Sequence, residues 1–267
     1  MKRIGLPALY FCAICAAQPP KFDVVSIRVV PPNTPPTMRE IGFTPVLPGG
    51  RYLDSRASLF FMIAFAYDVK NPSLQLTGLP KWAESQSFAV AAKPAEGFPA
   101  LPPAENRERV RLMVRAMLAE RFSLRLHTET RQEAMFSLEV AKGGVKMKES
   151  APPVPPAREA PVGAAMDNSS GRMIGERSTM AGLAGALVIF LKRPVIDRTG
   201  LTGYYDFDVK WRSPETPDGQ PPSRGFDTEG AGLLISNLQS QLGLRLRKIR
   251  GPVEYWVVDQ VKPPTEN

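Results

Sequence analysis

The sequence predicts an α+β fold of internally duplicated helix–strand–strand units, with helices packed on antiparallel sheets. Three observations point to it. Apolar runs of helical period follow runs of period two. Segments of the first half recur in the same order about 120 residues later. Proline-rich stretches at 94–104, 151–163 and 213–225 punctuate the chain, because proline fixes φ and removes a donor.

Taken in order, the chain opens with an export signal over 1–17. Lys2 and Arg3 precede an uncharged apolar core, and Cys15, Ala16 and Ala17 set small residues before a cleavage point at Gln18. The core is shorter than the ~18 residues a spanning helix needs. A first lobe covers 18–150 and starts with an edge strand at 22–30. A strand at 51–56 then runs into a helix at 59–69, with Ser58 as N-cap. The uninterrupted apolar run 59–67 is too short for a bilayer and too apolar for a surface, so it is read as a core helix. Strands at 74–77 and 88–92 follow. The helix at 105–121 stacks Val110, Met113, Val114, Met117 and Leu118 on one face. A strand pair, 123–130 with 135–141, closes the lobe.

A proline-rich linker, 151–170, separates this lobe from a second at 171–267 that repeats about 50–142. GRMIGERSTMAGLAGALV from Gly171 matches GRYLDSRASLFFMIAFAY from Gly50. Arg172 falls on Arg51, Arg177 on Arg56, and Thr179, a second N-cap, on Ser58. The second copy predicts a strand at 172–177, a helix at 180–191 and strands at 195–197 and 205–211. A helix at 230–242 follows, with Thr228 as a possible N-cap and Gly243 suited to a left-handed C-cap. The strand pair 244–250 and 254–261 ends it.

Composition excludes several chemistries. Both cysteines lie inside the export segment, so the remaining chain has none. It has one histidine, His127, among Arg125 and Glu129 on the polar side of a strand, where solvation explains it better than general-base work. The usual zinc sets, a G-x-S-x-G elbow and an S-x-x-K pair are missing, and no cofactor motif is present. The net charge is +8, and +6 without Lys2 and Arg3, which favours anionic envelope surfaces or acidic glycans. Basic residues are not interleaved with aromatics, which argues against nucleic acid. The densest cluster, 245–250, reads as one solvated strand face.

The candidate ligand-binding residues are Trp82, Asp197, Tyr204, Asp206 and Asp208. Asp206 and Asp208 alternate around Phe207 in YYDFDVKW, so both carboxylates share one strand face. Such a pair can hold calcium or act as acid and base on a glycan. The alternation fits a solvated strand face, with Phe207 and Val209 inward, better than either. Asp197, in DRTG, suits a turn in which the carboxylate bonds its own backbone. Trp82, Tyr204, Tyr205, Trp211, Tyr255 and Trp256 fit either a glycan or peptide groove or ordinary core packing.

Several segments together resemble a known family: FDVVSIR, TGLPKWAESQSFAVAAK, MLAERFSLRLHTETRQEAMFSLEVAKGGVKMKES, RPVIDRTGLTGYYDFDVKW and GPVEYWVVDQVKPPTEN. They are similar to the exported soil-associated proteins expanded in Acidobacteria, a domain of unknown function. The resemblance spans nearly all of the chain after the signal and is most specific over 193–211. It implies export and supplies no catalytic or binding residues. Some relatives look fused to membrane-embedded metallopeptidase sensors, which implies sensing or docking. By layout alone, the repeats also look like the short N-terminal domains of secretins and TonB-dependent receptors. The expectation is therefore a non-catalytic extracytoplasmic module that binds an envelope protein, a peptide or a glycan, or adds a strand. The alternative is a carboxylate-based glycan hydrolase. No metal and no membrane-spanning helix are expected in the exported chain.

Overall fold

The computed structural model describes residues 20–31, 34, 45–152, 165–167, 172–210 and 228–264. The predicted export segment, most of the predicted linker, the stretch 213–225 and Trp211 lie outside them. In chain order the strands and helices are β1 (Val24–Val30), β2 (Val46–Leu47), β3 (Arg51–Ser58), α1 (Leu59–Ala66), α2 (Pro72–Gln75), β4 (Leu76–Thr77), α3 (Lys81–Ser85), β5 (Ser87–Lys93) and α4 (Pro103–Arg121). They continue with β6 (Arg125–Val140), β7 (Lys148–Ser150), β8 (Ala165–Asp167), β9 (Arg172–Ser178), α5 (Met180–Leu191), β10 (Val195–Asp197), β11 (Tyr204–Lys210), α6 (Thr228–Asn237) and β12 (Leu244–Gln260). The fold is α+β, as the sequence predicts. Helices pack against three four-stranded sheets, two antiparallel and one mixed.

The chain divides into two compact units. The first combines 1–67, 85–124 and 262–267. Its antiparallel sheet runs β1–β5–β3–β2, with β1 at the edge. The Ser58 hydroxyl accepts the Phe61 N–H at 3.2 Å and caps α1. Helix α1 buries Leu59, Met62, Ile63, Ala64 and Ala66, and it packs against α4 and β3. The apolar run is thus a core helix with one open side, where Phe61 is 67% exposed. Arg115 donates to the Ala66 carbonyl at 2.6 Å, which satisfies an orphan acceptor at the end of α1. Every residue of the predicted α4 face is buried. Each such side chain contributes roughly 1.5–3 kcal/mol on transfer from water.

The second unit combines 68–84 and 125–261. One sheet runs β7–β11–β9–β8 and the other β10–β6–β12–β4. The Thr179 hydroxyl caps α5 through the Gly182 N–H at 3.1 Å. Helix α5 then buries Leu183, Leu187 and Val188 against Phe207, Val209 and Leu244 in a shared core. Helix α6 ends in a π-turn at Leu238–Leu242, closed by left-handed Gly243 at φ 71°.

The predicted closing strand pairs are corrected. The segments 123–130 and 135–141 do not pair with each other. They belong to one strand, β6, of 16 residues, and the predicted pair 244–250 and 254–261 likewise belongs to one strand, β12, of 17 residues that ends at Gln260. β6 and β12 pair antiparallel along nearly their whole length. Pro252 does not break the ladder. Phe136 turns its N–H away from β12, toward Pro194, so its partner Lys248 and every second residue beyond, Pro252 included, point away from β6. Proline is tolerated where the missing donor would face an edge. The 245–250 cluster is corrected for the same geometric reason. Arg245 and Arg247 turn to one face and donate to Glu139, each at 2.8 Å, while Lys248 and Arg250 turn to the other. Ser137, Arg247 and Arg245 together hold the Glu139 carboxyl down at about 2.

Candidate functional site

The predicted carboxylates Asp206 and Asp208 come together in an open groove of about 510 Å³ between β9 and β11. Tyr205, Phe207 and Val209 alternate inward and are buried. That leaves Asp206 half-buried and Asp208 exposed on the outer face, as period two requires. The groove is lined by Ile174, Gly175, Glu176, Arg177, Asp206, Phe207 and Asp208. Gly175 is required there. A Cβ at that position would sit 2.3 Å from the Phe207 ring, so only glycine lets the ring cross the strand.

A β-bulge shapes the groove. Tyr205 faces Ser178 and Phe207 faces Gly175, so Glu176 and Arg177 together oppose Asp206. Arg177 adopts the left-handed φ of 47°, which costs a non-glycine residue about 1–2 kcal/mol. The Arg177 N–H donates to Asp206 Oδ1 at 2.7 Å and holds the bulge. The same bond is the main reason that the Asp206 carboxyl titrates below its ordinary range. Asp208 is engaged differently. Arg172 grips it with two parallel bonds, Nε to Oδ1 at 2.7 Å and Nη2 to Oδ2, and lowers its carboxyl as well.

Both carboxylates are therefore ionised at neutral pH. A glycan hydrolase needs one of its two carboxyls protonated, with its pKa raised, and both here are displaced the other way. Among the described residues the lining holds no serine, cysteine, histidine or lysine. What it presents is the exposed Glu176 and Arg177; no side-chain hydrogen bond or ion pair of either occurs among the described residues, and the Arg177 charge adds to the lowering of Asp206.

The other predicted residues lie elsewhere. Asp197 Oδ1 accepts the Thr199 N–H at 2.9 Å and the Thr199 hydroxyl at 2.7 Å, the turn its sequence suggests. Tyr204 is half-buried at the start of β11, opposite Ser150. Trp82 is half-buried in α3. None of the three lines the groove. His127 is held on both sides, Nδ1 by Asp259 at 2.8 Å and Nε2 by Glu129 at 3.1 Å. Carboxylates at both nitrogens favour the charged imidazolium, in which both are donors, and so raise its pKa. Among the described residues no group of three or more His, Cys, Asp or Glu is placed to hold a metal, and no helix is long and apolar enough to cross a membrane.

Sequence reasoning missed Arg172, Glu176 and Arg177 as site residues. A signal existed for the two arginines, which recur at Arg51 and Arg56. The first unit carries a related bulge, in which Ser55 and Arg56 intervene between Asp54, paired with Val90, and Ala57, paired with Phe88. There the Arg56 N–H donates to Asp54 Oδ1 at 3.0 Å.

A family model described as "Protein of unknown function (DUF3738)" matches residues 61–261, and the chain belongs to that family. No curated protein and no solved structure matches it.

Proposed function

We propose that this DUF3738 member is an exported, non-catalytic binding module whose groove between β9 and β11 takes a peptide or glycan ligand. One observation carries the reading. Both groove carboxylates are spent on internal bonds and held ionised, while Glu176 and Arg177 are left presented to solvent. That is an arrangement for recognition, with fixed backbone and opposite charges side by side, and it lacks a proton donor. Export rests on Lys2, Arg3 and the uncharged core to Ala17, and on the likeness to exported soil-associated proteins. A duplicated origin is supported by the two bulges that carry an arginine at the same place in the strand, each followed by a Ser- or Thr-capped helix, although the aspartate that accepts the arginine N–H lies on the partner strand in one and on the same strand in the other.

The test is a backbone NMR titration with envelope-derived peptides, peptidoglycan fragments and oligosaccharides, with product analysis of the same samples. The reading expects a ligand that saturably shifts the amides of 174–177 and 206–208 and is recovered intact. Arg177→Glu should weaken it about tenfold or more, the scale of one charge-assisted contact. Cleavage of any panel member, lost in Asp206→Ala, would restore the hydrolase reading.

A further inference from the structure

We infer that the edge of β6 beside β10 is a second site, which accepts an extended acidic peptide as an added strand and holds its carboxylates with Arg193, Lys248 and Arg250. A groove of about 420 Å³ lies there, lined by these three cations with Ala134, Met135, Phe136 and Ile249 and by no acid. All three cations are exposed. Arg250 donates to the Gln132 carbonyl at 3.2 Å, and no ion pair involving any of the three occurs among the described residues. On the opposite face of the same strand, Arg245 and Arg247 are neutralised by Glu139. The charge left open is therefore confined to the face beside the edge.

The backbone supplies the second half of the site. β10 covers β6 only from Phe136 to Leu138. Phe136 donates to the Pro194 carbonyl and Leu138 accepts from Arg198, each at 2.9 Å, so the N–H and C=O of alternate residues point outward from β6. Ala134 and Gln132 continue that row with no strand beside them among the described residues, and of the two carbonyls Gln132 already accepts from Arg250. Pro194 cannot donate, which ends β10 at this point. An open row of backbone groups is a template for strand addition, and side chains on alternate positions supply the specificity. Here the neighbours on β6 are Ala134 and Phe136, and the cations that line the groove stand around them, Lys248 and Arg250 one strand over on β12 and Arg193 just before β10, so the groove selects carboxylates. The site shares no lining residue with the β9–β11 groove and stands without it.

The experiment uses the full chain and a fluorescent, end-blocked octapeptide of alternating glutamate and valine, followed by anisotropy at low and physiological salt. Its lysine–valine counterpart and a version N-methylated at alternate amides serve as comparisons. The proposal expects saturable binding of the glutamate peptide only, weakened at least tenfold by N-methylation and by Arg193→Gln with Lys248→Gln. Thermal unfolding of the double variant checks that it is folded, and an NMR map of the peptide on the native chain, expected at 132–136, decides the matter if it is not. Equal binding of the lysine peptide, indifference to N-methylation, or binding of phosphatidylglycerol vesicles in place of the peptide would overturn it. So would no binding at all, which would leave the cations as guards that keep a bare edge from aggregating.

Discussion

His127 shows how a single residue can be tested without ambiguity, because the chain has no other histidine. Its ring is held between Asp259 and Glu129, so the charged form is favoured and the folded pKa lies above the ordinary 6.5. The resulting stabilisation is complete below the unfolded value and fades as pH rises through the folded one. An NMR titration of the ring should therefore show a midpoint above 6.5 that falls in Asp259→Asn, and the unfolding temperature should decline across the same window. A midpoint at or below 6.5 would contradict the geometry. Gly175 offers a packing test. Gly175→Ala drives a methyl against the buried Phe207 ring and should cost about 1–3 kcal/mol in urea unfolding, the usual scale of overpacking. At this scale the sequence was partly legible. Alternation around Phe207 placed Asp206 and Asp208 on one outer face, and DRTG announced a turn. The bulge was not legible, because it depends on which residues of β9 lie opposite Asp206, and local periodicity carries no register.

At the scale of elements, the capped helices were the most readable features. Ser58 and Thr179 each precede an apolar run, and each hydroxyl accepts the N–H three residues on. Ser58→Ala and Thr179→Ala should each cost about 1 kcal/mol, measured by urea denaturation, with the fold retained. The face of α4 was readable for the same reason, since helical period is a local property and its five apolar residues are all buried. The long strands were not. β6 looks like two short strands around the polar run 131–133 and β12 like two around Gly251 and Pro252, and only a partner from the other half of the sequence makes them continuous. The basic run 245–250 misled in the same way, because a strand divides its neighbours between two faces and the partner decides which charges are neutralised.

At the scale of the molecule, pairing between distant halves has a direct consequence. β12 depends on β6 for its main ladder, although the proline-rich stretch 151–163 separates them in sequence. A chain cut in that stretch should give a C-terminal half that shows no cooperative unfolding by circular dichroism alone and regains it on mixing with the N-terminal half. Cooperative unfolding of the C-terminal half by itself would show that the ladder is dispensable. The central claim, recognition without catalysis at the β9–β11 groove, is tested most directly by photocrosslinking. A photoreactive residue replaces Ile174, which lines the groove, in cells that express the protein, and the adducts are read by mass spectrometry. The account predicts one reproducible peptide or glycan adduct, intact and lost with Arg177→Glu. Recovery of the uncrosslinked protein alone, or of a cleaved product in the groove, would contradict it.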